Sequence, residues 1–429
     1  MVTPLIVLEL NEVNFEFVEH YCRRGELPAL ARLIKGQGYM RTVSEIESER
    51  VEPWIQWFTV HTGRSYAEHQ VFRLGDGAQA GMRQIWEELG SRGLRVGAFS
   101  PMNAANSIAQ AAFFVPDPWT RTGINAPALM RGAYHAICQA VADNAAGKIT
   151  PLSALQLCCG LLAYTSPRRW PRYLADALAG LRNHWARALF LDRFLADCFL
   201  RLWRRSRPDF ATLFLNGAAH IQHHYLFNSA AYSGSYRNPA WYLAPGIDPV
   251  LEAYRLYDGV LTDCLALDPQ LRLMIATGLH QEAVDEPVFY WRLRAHGDFL
   301  RRIGCAFTEV EPRMSRDFLI HCASAAQAAA SATRLASGRA PDGLPLFEVD
   351  NRGDTLFVTL LYPHEVKPGF VARFGELTVD DFAKEVVFVA IKNGRHNGIG
   401  YFLDSAEHVP LDGKPIPLAE LWQRMVSAF

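Results

Sequence analysis

Short apolar runs recur along the chain, and segments with helical spacing separate them. Leu5–Leu10 reads LIVLEL, the first half of Phe210–Tyr225 begins FATLFL, and Leu271–Ala276 reads LRLMIA. Continuous apolar runs of this length indicate central strands that are covered on both faces of a parallel sheet. Helical spacing follows at Phe15–Tyr21 and at Trp54–His61. This order of strands and helices predicts an α/β fold with a mostly parallel central sheet.

Further segments extend this α/β order. The predicted helices are 29–34, 82–91 and 250–265, and the predicted strands are 95–99, 386–391 and 399–403. We expect 386–391 to be the last core strand before a loop, NGRHNG, and 41–51 to be irregular because it is polar. Glu9 lies inside the first apolar strand, where a lone acid needs a partner, and Arg95 and Lys392 are the predicted partners.

The pattern changes between residues 117 and 207, where helical periodicity dominates and prolines interrupt it. This segment is predicted to be a helical insertion over one face of the sheet. Leu152–Ala163 is apolar but too short to span a bilayer, so we expect a buried core helix. Arg168, Arg169 and Arg172, with the arginines of the later RLWRRSR sequence, form either a basic patch or solvated helix ends, and charge patterning favours the second.

The chain has 429 residues, which fits one large α/β domain with insertions or two domains. The predicted parts are core 1–116, helical insertion 117–207, core 208–305, a small α/β subdomain 306–385 and core 386–429. In the subdomain, Ser324 is a candidate N-cap for an alanine-rich helix. Two strands, near Phe347 and at Leu356–Leu361, are expected to pair across a turn at residues 351–354.

Composition excludes some classes of partner. The formal net charge is −1, so no global electrostatic attraction favours nucleic acid, and membrane association is not expected. The eight cysteines have no C-x-x-C spacing, which favours reduced thiols in a cytoplasmic protein. The N-terminal sequence MVTPLIVLEL has no basic segment or cleavage site and is typical of a first strand, not of a signal peptide.

Candidate metal ligands follow the strand that begins at Phe210. The sequence AHIQHHY places His220, His223 and His224 close together, next to Gln222. Because the carboxyl ends of parallel strands carry the active site in open α/β sheets, we expect these side chains to lie in a functional site. However, no Asp or Glu occurs between Asp209 and Asp248, so the carboxylate that usually balances a metal ion is missing from this stretch.

Three patterns resemble the alkaline phosphatase superfamily, in particular its type I phosphodiesterase and nucleotide pyrophosphatase branch. They are LELNEVNFEFVEHYCRRGELPALARLIKGQG near the start, WFTVHTGRSYAEHQVF, and AHIQHHY. The resemblance covers residues 5–105, 208–285 and 385–410. It implies a three-layer α/β/α sandwich and an enzyme that holds two metal ions, usually zinc, between a Thr or Ser nucleophile and six Asp or His ligands.

Most of the residues that this family uses are replaced here. Its first aspartate falls on Asn11 and the nucleophile falls near Pro53, where RVEPWIQW has no Ser or Thr. The remaining family ligands fall on Ala219, His223, Thr277, Gly278 and His396. The resemblance therefore implies that one metal site is lost. The other keeps His223 and His396, and its third ligand is to be sought among His220, Asn216 and Glu12.

The expected cofactor is accordingly one zinc ion or none. The pocket residues that we expect at the strand ends are the candidate catalytic residues Glu12, Glu52 and His223, the candidate metal ligands His220, His223 and His396, and the candidate substrate-binding residues Asn11, Trp54, Gln56, Trp57, Gln222 and Gln281. Amides beside aromatic rings are typical of sites for a small-molecule ligand such as a sugar or nucleotide derivative.

Two hypotheses follow for the function. The first is a diverged enzyme of this superfamily that acts on a phosphorylated, sulfated or glycosyl small molecule without the usual threonine nucleophile. The alternative is a pseudoenzyme that keeps the fold as a binding or scaffold protein. A membrane role through the arginine-rich insertion is a third and weaker hypothesis.

Overall fold

The structure is a computed structural model that describes residues 2–45, 50–142, 149–313, 316–410 and 413–429. The chain divides into two compact units. The smaller unit contains Val284–Asn393, and the larger unit contains the rest of the described chain, on both sides of that segment. The small unit therefore extends beyond residues 306–385 at both ends.

Seventeen strands occur in the described residues: β1 Leu5–Leu10, β2 Met40–Val43, β3 Val96–Phe99, β4 Phe113–Val115, β5 Phe210–Leu215, β6 Arg272–Ala276, β7 His280–Leu293, β8 Glu309–Pro312, β9 Asp317–His321, β10 Gly338–Arg339, β11 Phe347–Asn351, β12 Thr355–Leu360, β13 Ala372–Phe374, β14 Leu377–Val379, β15 Val386–Asn397, β16 Ile399–Asp404 and β17 Ile416–Pro417.

The same residues contain fourteen α-helices: α1 Phe15–Arg23, α2 Pro28–Gln37, α3 Pro53–Thr62, α4 Tyr66–His69, α5 Ile85–Ser91, α6 Ala128–Ala142, α7 Pro151–Tyr164, α8 Trp170–Gly180, α9 His184–Ser206, α10 Gly217–Tyr225, α11 Pro249–Leu265, α12 His296–Arg302, α13 Ala325–Ala336 and α14 Glu420–Val426.

An eight-stranded sheet forms the centre of the larger unit, in the order β17-β2-β16-β6-β1-β5-β3-β4. The neighbours among β6, β1, β5, β3 and β4 pair in parallel, whereas β16 is antiparallel to both β6 and β2. The predicted α/β class with a mostly parallel central sheet is confirmed. The carboxyl ends of β1, β5 and β6 meet at one edge, which is where such sheets place their sites.

Helices cover both faces of this sheet, because alternate residues of a strand point to opposite sides. Ile6, Leu8 and Leu10 pack into one apolar cluster with residues of α1, α9 and α11. Leu5 and Val7 pack into another cluster with residues of α3, α5 and α14. All six residues of β1 are buried, as a strand between two helical layers requires. The larger unit is therefore a three-layer α/β/α sandwich.

The smaller unit has its own sheets and its own apolar core. A four-stranded antiparallel sheet has the order β11-β12-β9-β8, and α13 begins at Ser324, whose hydroxyl accepts a hydrogen bond from the Gln327 amide at 3.2 Å. The predicted N-cap and the predicted pairing of β11 with β12 are both confirmed. Two long strands, β7 and β15, pair with each other.

Three predictions about local structure are wrong. Residues 386–391 are not a core strand, because they belong to β15, which pairs with β7 in a separate two-stranded sheet. The strand predicted at 399–403 corresponds to β16, which does belong to the central sheet. The sequence NGRHNG is not a loop, since most of it continues β15. The polar segment 41–51 contains part of β2, which pairs with β16; residues 46–49 lie outside the described residues. Polar side chains hid β2 because it is a short strand near the edge of the sheet.

The helix α7 is not the buried core helix that its composition predicts. Leu152, Leu155 and Leu162 are 63%, 61% and 65% exposed, while Gly160 and Tyr164 are buried. An apolar sequence predicts that a helix has little polar surface, but it does not show what covers that helix. No described helix is long and apolar enough to cross a membrane.

Candidate metal centre

Three polar side chains converge at the carboxyl edge of the parallel strands. Glu12 comes two residues after β1, His223 lies on α10, which follows β5 almost directly, and His396 lies near the end of β15. Among the residues that the structure describes, they form the one group of three acid, histidine or cysteine side chains suited to hold a metal ion. Glu12 is buried, whereas the side chains of His223 and His396 are 29% and 17% exposed. Solvent therefore reaches the imidazoles.

The three donor atoms form a nearly equilateral triangle. Glu12 Oε2 lies 3.4 Å from His223 Nε2 and 3.3 Å from His396 Nε2, and the two imidazole nitrogens are 3.2 Å apart. Donors around a tetrahedral zinc ion lie about 2.0–2.1 Å from the metal, which places them about 3.3–3.4 Å from each other. The triangle therefore fits one face of a tetrahedral metal site. Two histidines and one glutamate are also a ligand set that catalytic zinc sites use, with a fourth position open.

The charges at this triangle favour a cation. Burial by itself raises the pKa of Glu12, but the positive charges of His396 and His223 outweigh burial and hold that pKa well below its usual range. Burial lowers the pKa of His396, but the Glu12 carboxylate and, more weakly, Glu52 raise it to about 9. In the metal-free protein a proton on His396 thus supplies the positive charge that a metal ion would supply.

The backbone at Glu12 is held in an unfavourable conformation. Its φ is 61°, in the left-handed region that side chains other than glycine rarely adopt. Hydrogen bonds fix the residue there: the Glu12 amide donates to the Thr277 carbonyl at 3.1 Å, and Asn11 Nδ2 donates to Glu12 Oε1 at 2.9 Å. Strained residues of this kind occur where the surrounding structure over-determines a functional position.

Gln281 holds the other side of the Glu12 carboxylate. Its amide nitrogen donates to Glu12 Oε2 and, at 3.0 Å, to the Ala219 carbonyl. A Cβ atom on Gly394 would lie 1.9 Å from Gln281 Oε1, so glycine at that position is required for Gln281 to lie where it does. One signal for this support is visible in the sequence, namely the first glycine of NGRHNG.

A buried acid fixes the start of the helix that carries His223. Asp192 Oδ2 accepts hydrogen bonds from the Gly217 amide at 2.7 Å and from the Tyr257 hydroxyl at 2.6 Å. Burial raises the pKa of Asp192 to about 6, although these donors oppose the rise. A carboxylate at the N-terminus of α10 also suits the helix dipole. Sequence reasoning missed Asp192, because it lies within the apolar pattern of α9, far from α10 in sequence.

Glu52 lies on the far side of the His396 ring. Its Oε2 is 3.5 Å from His396 Nδ1, and the side chain is 32% exposed. His396 also hydrogen-bonds to the backbone of Val51. Histidines that bind metals commonly present their second nitrogen to a carboxylate or a carbonyl, which fixes the tautomer and the ring orientation. The residue Glu52 therefore contacts a member of the triangle without belonging to it.

Trp57 occupies the other half of the predicted site. The indole is fully buried, and its Nε1 donates to Asn11 Oδ1 at 2.7 Å. A Cβ atom on Gly278 would lie 3.1 Å from Trp57 Cε2. The ring thus fills the space between two positions, Asn11 and Gly278, on which metal ligands of the resembled family fall. Trp57, a predicted substrate-binding residue, is enclosed by the protein in this structure.

The other candidate residues lie around the triangle in different ways. Gln222 is buried, and its side chain joins the Glu12 carbonyl at 2.8 Å to the Tyr254 hydroxyl at 2.8 Å. Gln56 is buried and donates to the Arg50 carbonyl, and the half-buried Trp54 donates to the Phe72 carbonyl. His220 is not among the donors that converge in the triangle.

His220 is exposed, and its ring lies 5.2 Å from that of His224. Although residues three positions apart on a helix are neighbours, the donors that converge with His223 are those of Glu12 and His396. The third donor of the triangle is therefore Glu12, which was one of three alternatives for that place, and not His220.

Glu9 pairs with His61, and the predicted partners Arg95 and Lys392 are wrong. Glu9 Oε1 lies 3.0 Å from His61 Nε2, and both side chains are fully buried. Because Glu9 shares a strand face with Leu5 and Val7, it points toward α3, which carries His61. The pair lies beneath Trp57, whose ring centroid is 6.0 Å from that of His61.

The chain is similar to two solved structures of the phosphonoacetate hydrolase from Sinorhizobium meliloti 1021, one in complex with phosphonoformate and one with phosphonoacetate. Each match covers 99% of this chain and 95% of the other chain, with 12% sequence identity and a TM-score of 0.44. No family model matches the sequence, and no curated protein matches it.

Proposed function

We propose that the protein is a hydrolase that uses one divalent cation, zinc by its ligand set, held by Glu12, His223 and His396. The observation that carries this proposal is the triangle of donor atoms, whose edges of 3.2–3.4 Å match a tetrahedral metal site. Three acceptors that converge on one point repel one another unless a cation or a proton lies between them.

The environment supports one cation and not two. Trp57 fills the space beside Asn11, and neither Asn11 nor Gly278 offers a carboxylate. A second dication in that space would meet an indole ring and an amide, without the negative charge that it needs. The absence of acids on one side and the presence of Glu12 on the other are therefore electrostatically consistent.

A bound zinc ion supplies Lewis-acid activation of water and of the substrate oxygen. Glu52 contacts His396 Nδ1, on the side of the ring away from the triangle, so in this proposal it orients His396 and is not the general base. The attacking water releases its proton to solvent while its oxygen bonds to the substrate centre and the bond to the leaving oxygen breaks, and solvent protonates that leaving oxygen. Glu12 and His223, which were candidates for catalysis, act as ligands in this proposal.

The charge balance favours substrates with a single negative charge. One dication and the two carboxylates of Glu12 and Glu52 cancel, and the neighbouring Glu282 pairs with Arg395 at 2.8 Å. A site without excess positive charge discriminates against a doubly charged phosphate monoester. We therefore propose a phosphate diester or a sulfate ester of a small molecule, such as a sugar or nucleotide derivative, as the substrate class.

The test begins with the metal content of untagged protein purified without chelator. We expect about one zinc per chain in the wild type and none in His223→Ala or His396→Ala. His220→Ala is the matched control, because it removes a histidine from the same helix without touching the triangle, and it should keep the metal. Hydrolysis of nitrophenyl diesters, monoesters and sulfates is then compared on these four proteins.

The outcomes separate the parts of the proposal. Absence of metal from the wild type after incubation with zinc would contradict the proposed metal site. Equal zinc contents in all four proteins would show that the zinc binds at another place. Zinc with faster monoester than diester hydrolysis would contradict the substrate class alone.

A second candidate is a binding protein without catalysis, and one observation favours it. The amides of Asn11, Gln222 and Gln281 are buried and bonded to neighbouring protein groups, so they are not available to orient a substrate. Two results together would favour this candidate. The protein would bind zinc without hydrolysing any of the three ester classes, and one of these esters or its product would raise its melting temperature in a thermal-shift assay.

A further inference from the structure

The helical insertion exposes an unusual amount of apolar surface. Sixteen large apolar side chains are exposed in the described residues, and eight of them lie between Ile149 and Leu181. This short segment is therefore the main apolar surface of the described chain. Concentrated apolar patches, in contrast to scattered single residues, mark interaction sites.

On α7 the exposed side chains share one face. Leu152, Leu155 and Leu162 are all more than 60% exposed and recur at helical spacing. The opposite face is packed: a Cβ atom on Gly160 would lie 2.9 Å from Ala133 Cβ and 3.0 Å from Phe194 Cζ. The outward face of α7 is thus apolar along its length.

On α8 the pattern is the same. Trp170, Leu174 and Leu178 are 43%, 61% and 58% exposed, and Leu181, just past the helix end, is 75% exposed. The buried side of α8 carries Tyr173, whose hydroxyl donates to Asp197 of α9 at 2.8 Å. Trp170 Nε1 donates to Thr165 Oγ1 at 3.0 Å, which ties the start of α8 to the end of α7.

Positive charge surrounds these apolar faces. Residues 149–191 contain five arginines, at 168, 169, 172, 182 and 187, and one acid, Asp176, for a formal net charge of +4 in a chain whose total is −1. Asp176 is buried and paired with Arg172 at 3.0 Å and Arg193 at 2.7 Å. Arg169 pairs with Asp197 and Asp263, and Arg172 also pairs with Glu252, whereas Arg168 and Arg182 are exposed. The surface therefore combines leucines, a tryptophan and arginines, with no exposed acid in this segment.

We propose that the exposed faces of α7 and α8 dock on a membrane surface that contains anionic lipid. Leucine and tryptophan side chains on one face with arginines beside them are the composition of helices that lie in the plane of a bilayer interface. The arginines pair with anionic headgroups, and a bilayer covers several exposed leucines without requiring a shaped pocket. This assignment is independent of the metal centre.

Charge argues against a second copy of the chain as the occupant of this surface. Two such faces brought together would place the exposed Arg168 and Arg182 of each copy on one interface, to which this segment contributes no exposed acid. An anionic lipid surface instead complements both the charge and the apolar character of the segment.

The test uses the full chain in sedimentation with vesicles. One vesicle type is phosphatidylcholine alone, and the other contains about one-third phosphatidylglycerol. We expect binding to the anionic vesicles that weakens at high salt, and a fall of about tenfold in the bound-to-free ratio for the double variant Leu174→Glu, Leu178→Glu. The double variant Leu344→Glu, Leu377→Glu is the matched control, because it places the same charges at exposed leucines of the smaller unit, and it should bind within about twofold of the wild type.

The charge variant Arg168→Gln, Arg182→Gln tests the electrostatic part, and it should also lower binding to anionic vesicles. Absence of wild-type binding to anionic vesicles at low salt would overturn the proposal. So would equal binding of the wild type and the variant of Leu174 and Leu178. Sedimentation velocity without vesicles provides the last arm: a self-associated wild type that becomes monomeric in the same variant would assign this face to a second copy of the chain.

Discussion

The two sides of the polar cluster at the strand ends use similar residue types in opposite ways. On one side, Glu12, His223 and His396 direct three acceptors to a single point, with Glu12 buried and the two imidazoles partly accessible. On the other side, Asn11 and Trp57 are hydrogen-bonded to each other and fully buried. Both Glu12 and Asn11 have hydrogen-bond partners within the protein, so convergence of several acceptors, and not the polarity of one residue, identifies the candidate site.

The comparison also separates two ways to remove a metal site. A lost carboxylate lowers the affinity for a cation, whereas a large ring removes the space for it. Trp57 does the second, and the glycine at position 278, with φ of 71°, leaves room for that ring. On the side of the triangle, the rings of His223 and His396 contact each other at 5.0 Å, and the ring of His223 also lies 6.2 Å from that of His224.

Replacement of Trp57 tests this comparison most severely. Trp57→Ala should lower the free energy of unfolding by about 3–5 kcal/mol, because it leaves a cavity under the sheet edge. The zinc stoichiometry should remain at about one per chain, because the substitution adds no metal ligand. Chemical denaturation and metal analysis measure the two effects.

Trp57→Phe is the control for the ring, since it keeps most of the volume and removes the donor to Asn11. It should cost about 1–3 kcal/mol for the unpaired amide oxygen. Binding of two zinc ions by Trp57→Ala would contradict the proposal of a single metal ion. It would mean that the indole ring alone blocks a second site whose ligands are still present.

Glu52→Gln tests the side of the cluster that contains the triangle. It removes the carboxylate behind His396 and should weaken zinc affinity by about 10–100-fold, as loss of such outer partners typically does. The metal-free protein should be little changed in stability, since Glu52 is partly exposed. Competition with a chromophoric chelator measures the affinity.

The neighbouring Glu282→Gln is the matched control for that variant. Glu282 contacts Arg395 and Asn397 rather than a histidine, so zinc affinity should change by less than about threefold. Equal losses in both variants would assign the effect to general electrostatics and not to the contact with His396.

The pH dependence of the metal-free protein is the smallest expected effect. The pKa of His396 is about 9 in the folded protein, above an unfolded value of about 6.5. Its contribution to stability is therefore complete below pH 6.5 and is lost as the pH rises toward 9. We expect about 1–3 kcal/mol between these limits, from denaturation curves of the wild type and His396→Gln.

The control for the titration is His135→Gln on α6, which replaces an exposed histidine and should leave the difference from wild type constant with pH. A wild-type curve parallel to that of His396→Gln from pH 6 to pH 10 would show that the proton on His396 does not stabilise the triangle.

Much of the fold was predictable because its signals are local. The strands β1 and β5 and the helices α3 and α11 follow from apolar runs and helical spacing alone. The pairing partner of a strand and the burial of a helix depend on residues that are distant in sequence. The sequence therefore did not predict that β15 lies outside the central sheet or that one face of α7 is exposed.

The site was predictable to a smaller extent. Resemblance pointed to His223 and His396, and Glu12 was one of three alternatives for their partner. The direction of a side chain depends on contacts between distant segments, such as the hydrogen bond from Gln222 to the Glu12 carbonyl. Such contacts are not visible in the sequence, and Gln222 and Gln281, which were predicted to bind a substrate, are both hydrogen-bonded to Glu12 in the structure.

The left-handed backbone at Glu12 has a consequence for how such a site arises. By resemblance, position 11 corresponds to the aspartate of an Asp-Gly pair, and position 12 corresponds to its glycine. The carboxylate in this chain therefore stands one residue later, at a place whose geometry suits glycine, and a side chain there costs about 1–2 kcal/mol. Under the proposed function, selection for stability and selection for metal binding oppose each other at this single codon, so a lineage that lost the cation would drift toward glycine at position 12.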